Sequence, residues 1–175
     1  TSMFSTISII EDRKVGFLQS VLVAPVSPVA IVLGKVLGGA TIALVQGSIF
    51  LVLAPTLGIP LDAPRVLTVM AVLFLIAVGM TALGFCLAWR SDSVQGFHAV
   101  LNLFLMPMWF LSEAAFPASG APAWLQVPMR VNPLTYGVAG LRRGLYPDWP
   151  AAADVPGLAF SLGVLVLFST VLFAL

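Results

Sequence analysis

The sequence predicts an all-α membrane protein, a polytopic helical bundle, and three observations carry that prediction. Hydrophobic residues make up 60% of the chain and charged residues 9%, against about 25% charged in an ordinary soluble domain. Mean hydropathy is +1.09. Residues 36–61, 66–89 and 155–175 contain no charge, and each is long enough to cross the roughly 30 Å hydrocarbon core, which takes about 20 helical residues. Residues 93–112 qualify as well, although they hold His98, Asn102 and Pro107. Strands of a membrane barrel would alternate apolar and polar side chains over about ten residues. These runs are apolar all round, so the spans are helices.

The first ten residues, TSMFSTISII, read as the tail of an apolar span interrupted by hydroxyls. The chain opens without Met, its last residues have no polar flank, and no basic leader or cleavage site is present. The expectation is one membrane domain over 1–175 that is a fragment of a larger one. Residues 11–28 come next. Glu11, Asp12, Arg13 and Lys14 are followed by Val15, Leu18, Val21 and Leu22 on one helical face. That stretch is too short to span and suits an amphipathic helix lying in the interface. Pro25 and Pro28 stop it, because proline removes a donor and pushes its predecessor out of the α region.

A span over about 29–54 contains Gly34-x-x-x-Gly38 and Gly39-x-x-x-Ala43-x-x-x-Gly47. Small residues one turn apart allow close helix approach, and packing inside one bundle is preferred here to a dimer seam. A connection with Pro55, Gly58, Pro60, Asp62 and Pro64 leads to the span 66–89, which ends at Trp89-Arg90. Arg90-Ser91-Asp92-Ser93 is a polar turn with capping side chains. The span 94–112 is kinked at Pro107.

Proline and glycine recur beyond Ser112, yet two short helices are predicted. One covers 122–130 with Pro122 at its first position. The other covers 134–145, capped by Asn132 with Pro133 at its first position. In the second, Leu134, Val138, Leu141 and Leu145 form an apolar stripe and Arg142 and Arg143 are expected to face away. Trp109, Trp124, Tyr136, Tyr146 and Trp149 cluster here, as in an interfacial aromatic belt. The pair reads as short helices dipping into the interface over about 117–147, before a last span at 157–175.

Few groups could carry chemistry. One His and one Cys exclude a metal cluster, and Cys86 reads as a packing residue. Net charge is +1, which argues against nucleic acid as a partner. Gly34-Lys35 is not a phosphate loop, because Val29 stands where its first glycine would be and Val36 where its Ser or Thr would be. Lys35 is expected to snorkel to headgroups. Ser119 lacks both a preceding Gly motif and a following base, which disfavours an intramembrane protease. His98 and Asn102, one turn apart, read as a packing pair or as polar groups on a path. Glu113 reads as a headgroup-solvated carboxylate or a path-lining one.

Two stretches carry a resemblance. EDRKVGFLQSVLVAPVSPVAIVLGK and FLSEAAFPASGAPAWLQVPMRVNPLTYGVAGLRRGL resemble, in order and separation, two segments of type-2 ABC exporter permeases, and the chain looks most like the drug-resistance and nodulation-type subgroup. The resemblance implies six spans per subunit, a second permease copy or paralogue, and a separate ATP-binding-cassette ATPase holding ATP and Mg, with no cofactor on this chain. It implies that 11–28 is the coupling helix. There Glu11, Asp12, Arg13 and Lys14 would steer docking on the ATPase, and Phe17, Leu18 and Leu22 would supply apolar contact. It also implies a re-entrant outer helical hairpin, with Glu113, Phe116, Pro117, Trp124, Asn132, Pro133 and Tyr136 at the outer gate. Glu113-Ala114-Ala115 departs from the Ser-Gly that relatives more often carry.

The implied function is export of a hydrophobic or amphipathic substrate across a bacterial or archaeal plasma (inner) membrane. It would run by alternating access, with no enzymatic activity in the permease itself. Orientation rests on the resemblance, because Arg13, Lys14, Lys35 and Arg90 on the presumed inner side balance Arg65, Arg130, Arg142 and Arg143 on the outer. The alternative is an ATP-independent channel or secondary transporter, which usually places ionisable groups near the midplane. The spans 36–61 and 66–89 hold none.

Overall fold

Capping residues set where the helices begin. In the computed structural model, which describes residues 6, 7, 10, 27–114, 118–146 and 155–174, helix α1 covers Pro28–Leu53. Ser27 holds an extended conformation and its Oγ accepts from the Ala30 amide at 3.3 Å, with proline at the first position, where its missing donor costs nothing. A 3₁₀ turn, Ala54–Leu57, ends at Gly58 with φ 78, a left-handed conformation that glycine takes without a Cβ clash. Asp62 then caps α2, Ala63–Trp89, accepting from the Arg65 amide at 3.2 Å while Arg65 Nε lies 3.4 Å from its carboxylate. Ser93 caps α3, Val94–Phe110, through the Gly96 amide at 3.0 Å.

The remaining elements are a 3₁₀ turn at Ala118–Gly120, α4 at Ala123–Val131, α5 at Pro133–Leu145 and α6 at Leu158–Ala174. Among the described residues every regular element is helical. The residues expected to form the interfacial coupling helix, 11–26, lie outside them. Helices α1, α2, α3 and α6 lie within a few residues of the stretches read as spans. Pro122 sits at the α4 N-cap rather than at its first helical position. At 26 and 27 residues, α1 and α2 are each about 40 Å long, enough to cross a bilayer. Helices α3 and α6 have 17 residues each.

Helix α2 is the axis of the bundle, packing on α1, α3, α5 and α6. Lipid offers apolar side chains the same environment as a neighbouring helix, so close contact holds such helices together more than water release does. The sequence meets that need with small residues. On α1, Val36 and Ala40 are fully buried with Ala43 against Ala77, Val78 and Ala82 of α2, and a Cβ at Gly47 would lie 3.0 Å from Leu73. The Gly39-Ala43-Gly47 row therefore packs inside the bundle as predicted, whereas Gly34 and Gly38 face open space.

The α5 row is tighter. A Cβ at Gly137 would meet Ile76 at 2.8 Å, one at Gly140 would meet Val72 at 3.1 Å, and one at Gly144 would meet Val69 at 2.9 Å. The expected stripe of Leu134, Val138, Leu141 and Leu145 is only half-buried. The face of α5 that is buried is Thr135, Gly137, Ala139, Gly140 and Gly144. On the other side of α2, Ile10, Met80, Ala88, Phe97 and Leu101 form a cluster.

Most hydroxyls inside the apolar helices are satisfied locally, the exception among the described residues being the buried Ser161 Oγ of α6, which has no partner there. Thr41, Ser48, Thr81, Ser169 and Thr170 each donate to the carbonyl four residues earlier, at 2.7 to 2.9 Å. This removes the cost of an unpaired donor in hydrocarbon.

Candidate functional site at the end of the third helix

A helix ends with four carbonyls that lack an intrahelical donor, and after α3 the amides of Leu111 and Ser112 reach those of Pro107 and Trp109. Side chains supply further donors. Asn132 Nδ2 donates to the Met108 carbonyl at 2.6 Å. Ser112 Oγ donates to the Trp109 carbonyl at 2.6 Å. Thr135 Oγ1 lies 2.6 Å from the Met129 carbonyl and 3.1 Å from that of Leu111, so one hydroxyl bridges the ends of α3 and α4. Asn132, Ser112 and Thr135 are all buried, where an unmade bond costs most.

Asn132 also starts α5, its Oδ1 accepting from the Leu134 amide at 3.0 Å. It is the sole residue between α4 and α5, and Pro133 after it favours the extended conformation it adopts, φ -72 and ψ 119. Tyr136 completes the junction. Its hydroxyl donates to the Arg130 carbonyl at 2.7 Å and its ring meets Phe160 of α6 edge-on, with centroids 5.6 Å apart. The Asn-Pro-Leu-Thr-Tyr run thus fastens α3, α4, α5 and α6 at one point.

Arg142 and Arg143 depart from expectation, since both turn inward. Arg142 Nη2 donates to the Glu113 carbonyl at 2.6 Å. Arg143 Nε and Nη2 donate to the carbonyls of Pro156 and Val155 at 2.8 and 2.6 Å, tying α5 to the start of α6. The apolar stripe assumed for α5 had placed them outside. With glycines on the buried face instead, the arginines reach the irregular backbone on either flank. Glu113 has φ 64, the sole non-glycine residue with positive φ among the described residues. Burial raises its carboxyl above the ordinary carboxylate range, and the nearby Arg142 offsets part of that rise.

Of the predicted outer-gate residues, Glu113, Asn132, Pro133 and Tyr136 belong to this clasp. Trp124 stands apart, 73% exposed on α4, and Phe116 and Pro117 lie outside the described residues. His98 is half-buried beside the Phe97 ring, and Asn102 is exposed on α3. Glu11, Asp12, Arg13, Lys14, Phe17, Leu18 and Leu22 lie outside the described residues. The inward roles of Ser112, Thr135, Arg142 and Arg143 had no sequence signal, because their partners are carbonyls distant in the chain. Among the described residues no group of His, Cys, Asp and Glu is arranged to hold a metal.

Residues 1–146 match the sequence profile of the ABC-2 type transporter family. A transport permease, ycf38, of Cyanophora paradoxa is 31% identical over 99% of this chain and 63% of its own length. Nodulation protein J of Sinorhizobium fredii is 31% identical over 83% of this chain and 53% of its own. The inner membrane transport permease YhhJ of Escherichia coli is 25% identical over 94% and 46%. The chain thus spans about half to two thirds of the length of these curated relatives. No solved structure matches it.

Proposed function

The chain belongs to the ABC-2 type transporter family, and on that premise we propose that it is the membrane permease part of an ATP-driven exporter. Its substrate is hydrophobic or amphipathic: a drug, a lipid or a lipid-linked glycan. A separate ATP-binding-cassette subunit binds ATP and Mg and hydrolyses the nucleotide. This chain carries no nucleotide loop and acts as the moving wall. A second copy or a paralogue completes the cavity, in the plasma (inner) membrane. The observation that carries this reading is the family match across residues 1–146.

Two features of the structure support the mechanical part. Asn102 is exposed about two turns into α3, among exposed Leu103 and Met106. An amide facing lipid at that depth would leave its donors unpaired. Facing a water-filled path costs far less, so this side of α3 is assigned to the path, with His98 one turn before it.

The second feature is a connected route. Segment 11–28 leads into α1, α1 packs on α2, α2 is in close glycine contact with α5, and α5 is clasped to the outer end of α3. A displacement of α1 therefore reaches the outer end of α3 through packed, polar-locked contacts. Nucleotide binding must favour one of two arrangements in free energy for this to drive transport.

The test is co-reconstitution of the whole permease with its ATPase in proteoliposomes. Leu18→Asp and Arg13→Glu should abolish the stimulation of ATP hydrolysis by the permease while leaving its helix content intact. Unchanged coupling in both variants would remove residues 11–28 from the docking role.

A further inference from the structure

Helix α3 carries an outward face whose composition differs from that of a span packed only in lipid. Gln95, Asn102, Met106 and Trp109 lie at i, i+7, i+11 and i+14, within one arc of the helix, and all four are exposed. Phe110 is exposed beside Trp109, the two rings meeting edge-on with centroids 5.0 Å apart. On the adjoining flank Pro107 has no amide hydrogen to give the Leu103 carbonyl, which leaves a backbone acceptor without its α-helical donor. Just past the helix end stands Glu113, half-buried.

The carboxylate of Glu113 is poorly compensated by the protein itself. Arg142 acts on it, but burial outweighs that effect, because the guanidinium is committed elsewhere: its Nη2 donates to the Glu113 backbone carbonyl at 2.6 Å. Among the described residues no ion pair reaches the carboxylate. A partly desolvated anion in that state gains from any cation that comes to it. A metal ion does not fit, since a hard cation needs about six oxygen ligands and no group of His, Cys, Asp and Glu is gathered among the described residues. The Met106 thioether and the Trp109 and Phe110 rings are polarizable surfaces, and an aromatic face attracts an organic ammonium.

We infer that the face of α3 from Asn102 to Glu113 binds amphipathic organic cations, with the Glu113 carboxylate on the ammonium or guanidinium group and Met106 and Trp109 against the apolar body. Asn102 and the Leu103 carbonyl are within the same stretch for a polar substituent on that body. An anionic amphiphile would be repelled by Glu113, and a neutral one would leave the carboxylate as poorly compensated as before. This assignment rests on the exporter reading, in which this side of α3 lines the path, and it narrows the substrate of that path by charge.

Tetraphenylphosphonium and tetraphenylborate have the same shape and opposite charge. Each is measured alone by equilibrium dialysis against the whole permease in dodecyl maltoside, with empty micelles as the blank and no nucleotide present. Saturable binding of the phosphonium and none of the borate is expected. Glu113→Gln should weaken phosphonium binding about tenfold or more, Glu113→Asp should restore most of it, and Trp109→Leu should weaken it about threefold or more. Equal affinity for the two ions, or unchanged affinity in Glu113→Gln, would overturn the inference. Equal losses in Glu113→Gln and Glu113→Asp would mark a structural role and do the same. Displacement of the phosphonium by phosphatidylethanolamine added to the micelles would assign the site to a resident lipid ammonium and overturn it as a substrate site. The assay involves neither ATP nor the ATPase, so absent binding removes the cation site and leaves the exporter reading standing. Charge-selective binding without ATP-dependent movement of the probe would count against export alone.

Discussion

Asn132→Ala removes both halves of a double-ended contact. One half is the α5 cap, the Leu134 amide at 3.0 Å, whose loss costs about 1 kcal/mol. The other is the donor to the Met108 carbonyl at 2.6 Å, at a residue only 7% exposed. An acceptor left unmade in a buried site costs about 1–3 kcal/mol. The sum is a destabilisation of roughly 2–4 kcal/mol, large against the whole stability of a typical domain. Asn132→Asp separates the halves. It keeps an acceptor for the cap but sets a carboxylate against the Met108 carbonyl, so its loss should come almost wholly from α3. Denaturant unfolding in mixed micelles measures both, and amide hydrogen exchange over 108–112 locates the effect. Asn132→Ala within about 0.5 kcal/mol of wild type, the range of an ordinary surface change, would refute the clasp.

Other outcomes follow from the same contacts. Glu113→Gly relieves a left-handed conformation that costs an L-residue about 1–2 kcal/mol, partly offset by glycine's freedom when unfolded, and should raise stability by up to about 1 kcal/mol; a loss would contradict the strain. The folded-state pKa of Glu113 is raised, so its ionised form destabilises above that value and protonation on lowering the pH removes the penalty. Relative to Glu113→Gln, wild type should therefore gain stability as pH falls through the raised folded-state value toward the ordinary carboxylate range, and parallel pH profiles would count against this. Gly137→Val should cost about 1–3 kcal/mol by forcing α5 away from Ile76, while Gly34→Ala, with nothing within 4 Å, should stay within about 1 kcal/mol of wild type. Arg142→Gln should loosen residues 111–114 in hydrogen exchange without unfolding α5, because its partner is the Glu113 carbonyl.

Local signals in the sequence placed most of the fold. Charge-free runs located α1, α2, α3 and α6, and Asn132-Pro133 marked the start of α5, because caps and proline act within a few residues of where they stand. The inward row Gly39-Ala43-Gly47 was legible from its spacing. The row Gly137, Gly140 and Gly144 was not, since the leucines of the same helix present a more obvious apolar stripe. What decides between the two faces is the shape of Val69, Val72 and Ile76 on another helix. Arg142 and Arg143 were misread for a related reason. A charged side chain in a mostly apolar chain suggests water or headgroups, and the carbonyls of Glu113, Val155 and Pro156 that bind them leave no trace in side-chain chemistry. The charged segment 11–14 and the apolar face after it remain readings of the sequence alone.

ATP hydrolysis by the partner subunit, measured with and without the whole permease in sealed proteoliposomes, tests the central claim most directly. A stable complex with permease-dependent hydrolysis, and substrate movement that stops when nucleotide is withheld, is the predicted result. Movement driven by an ion gradient with no ATPase present would contradict it.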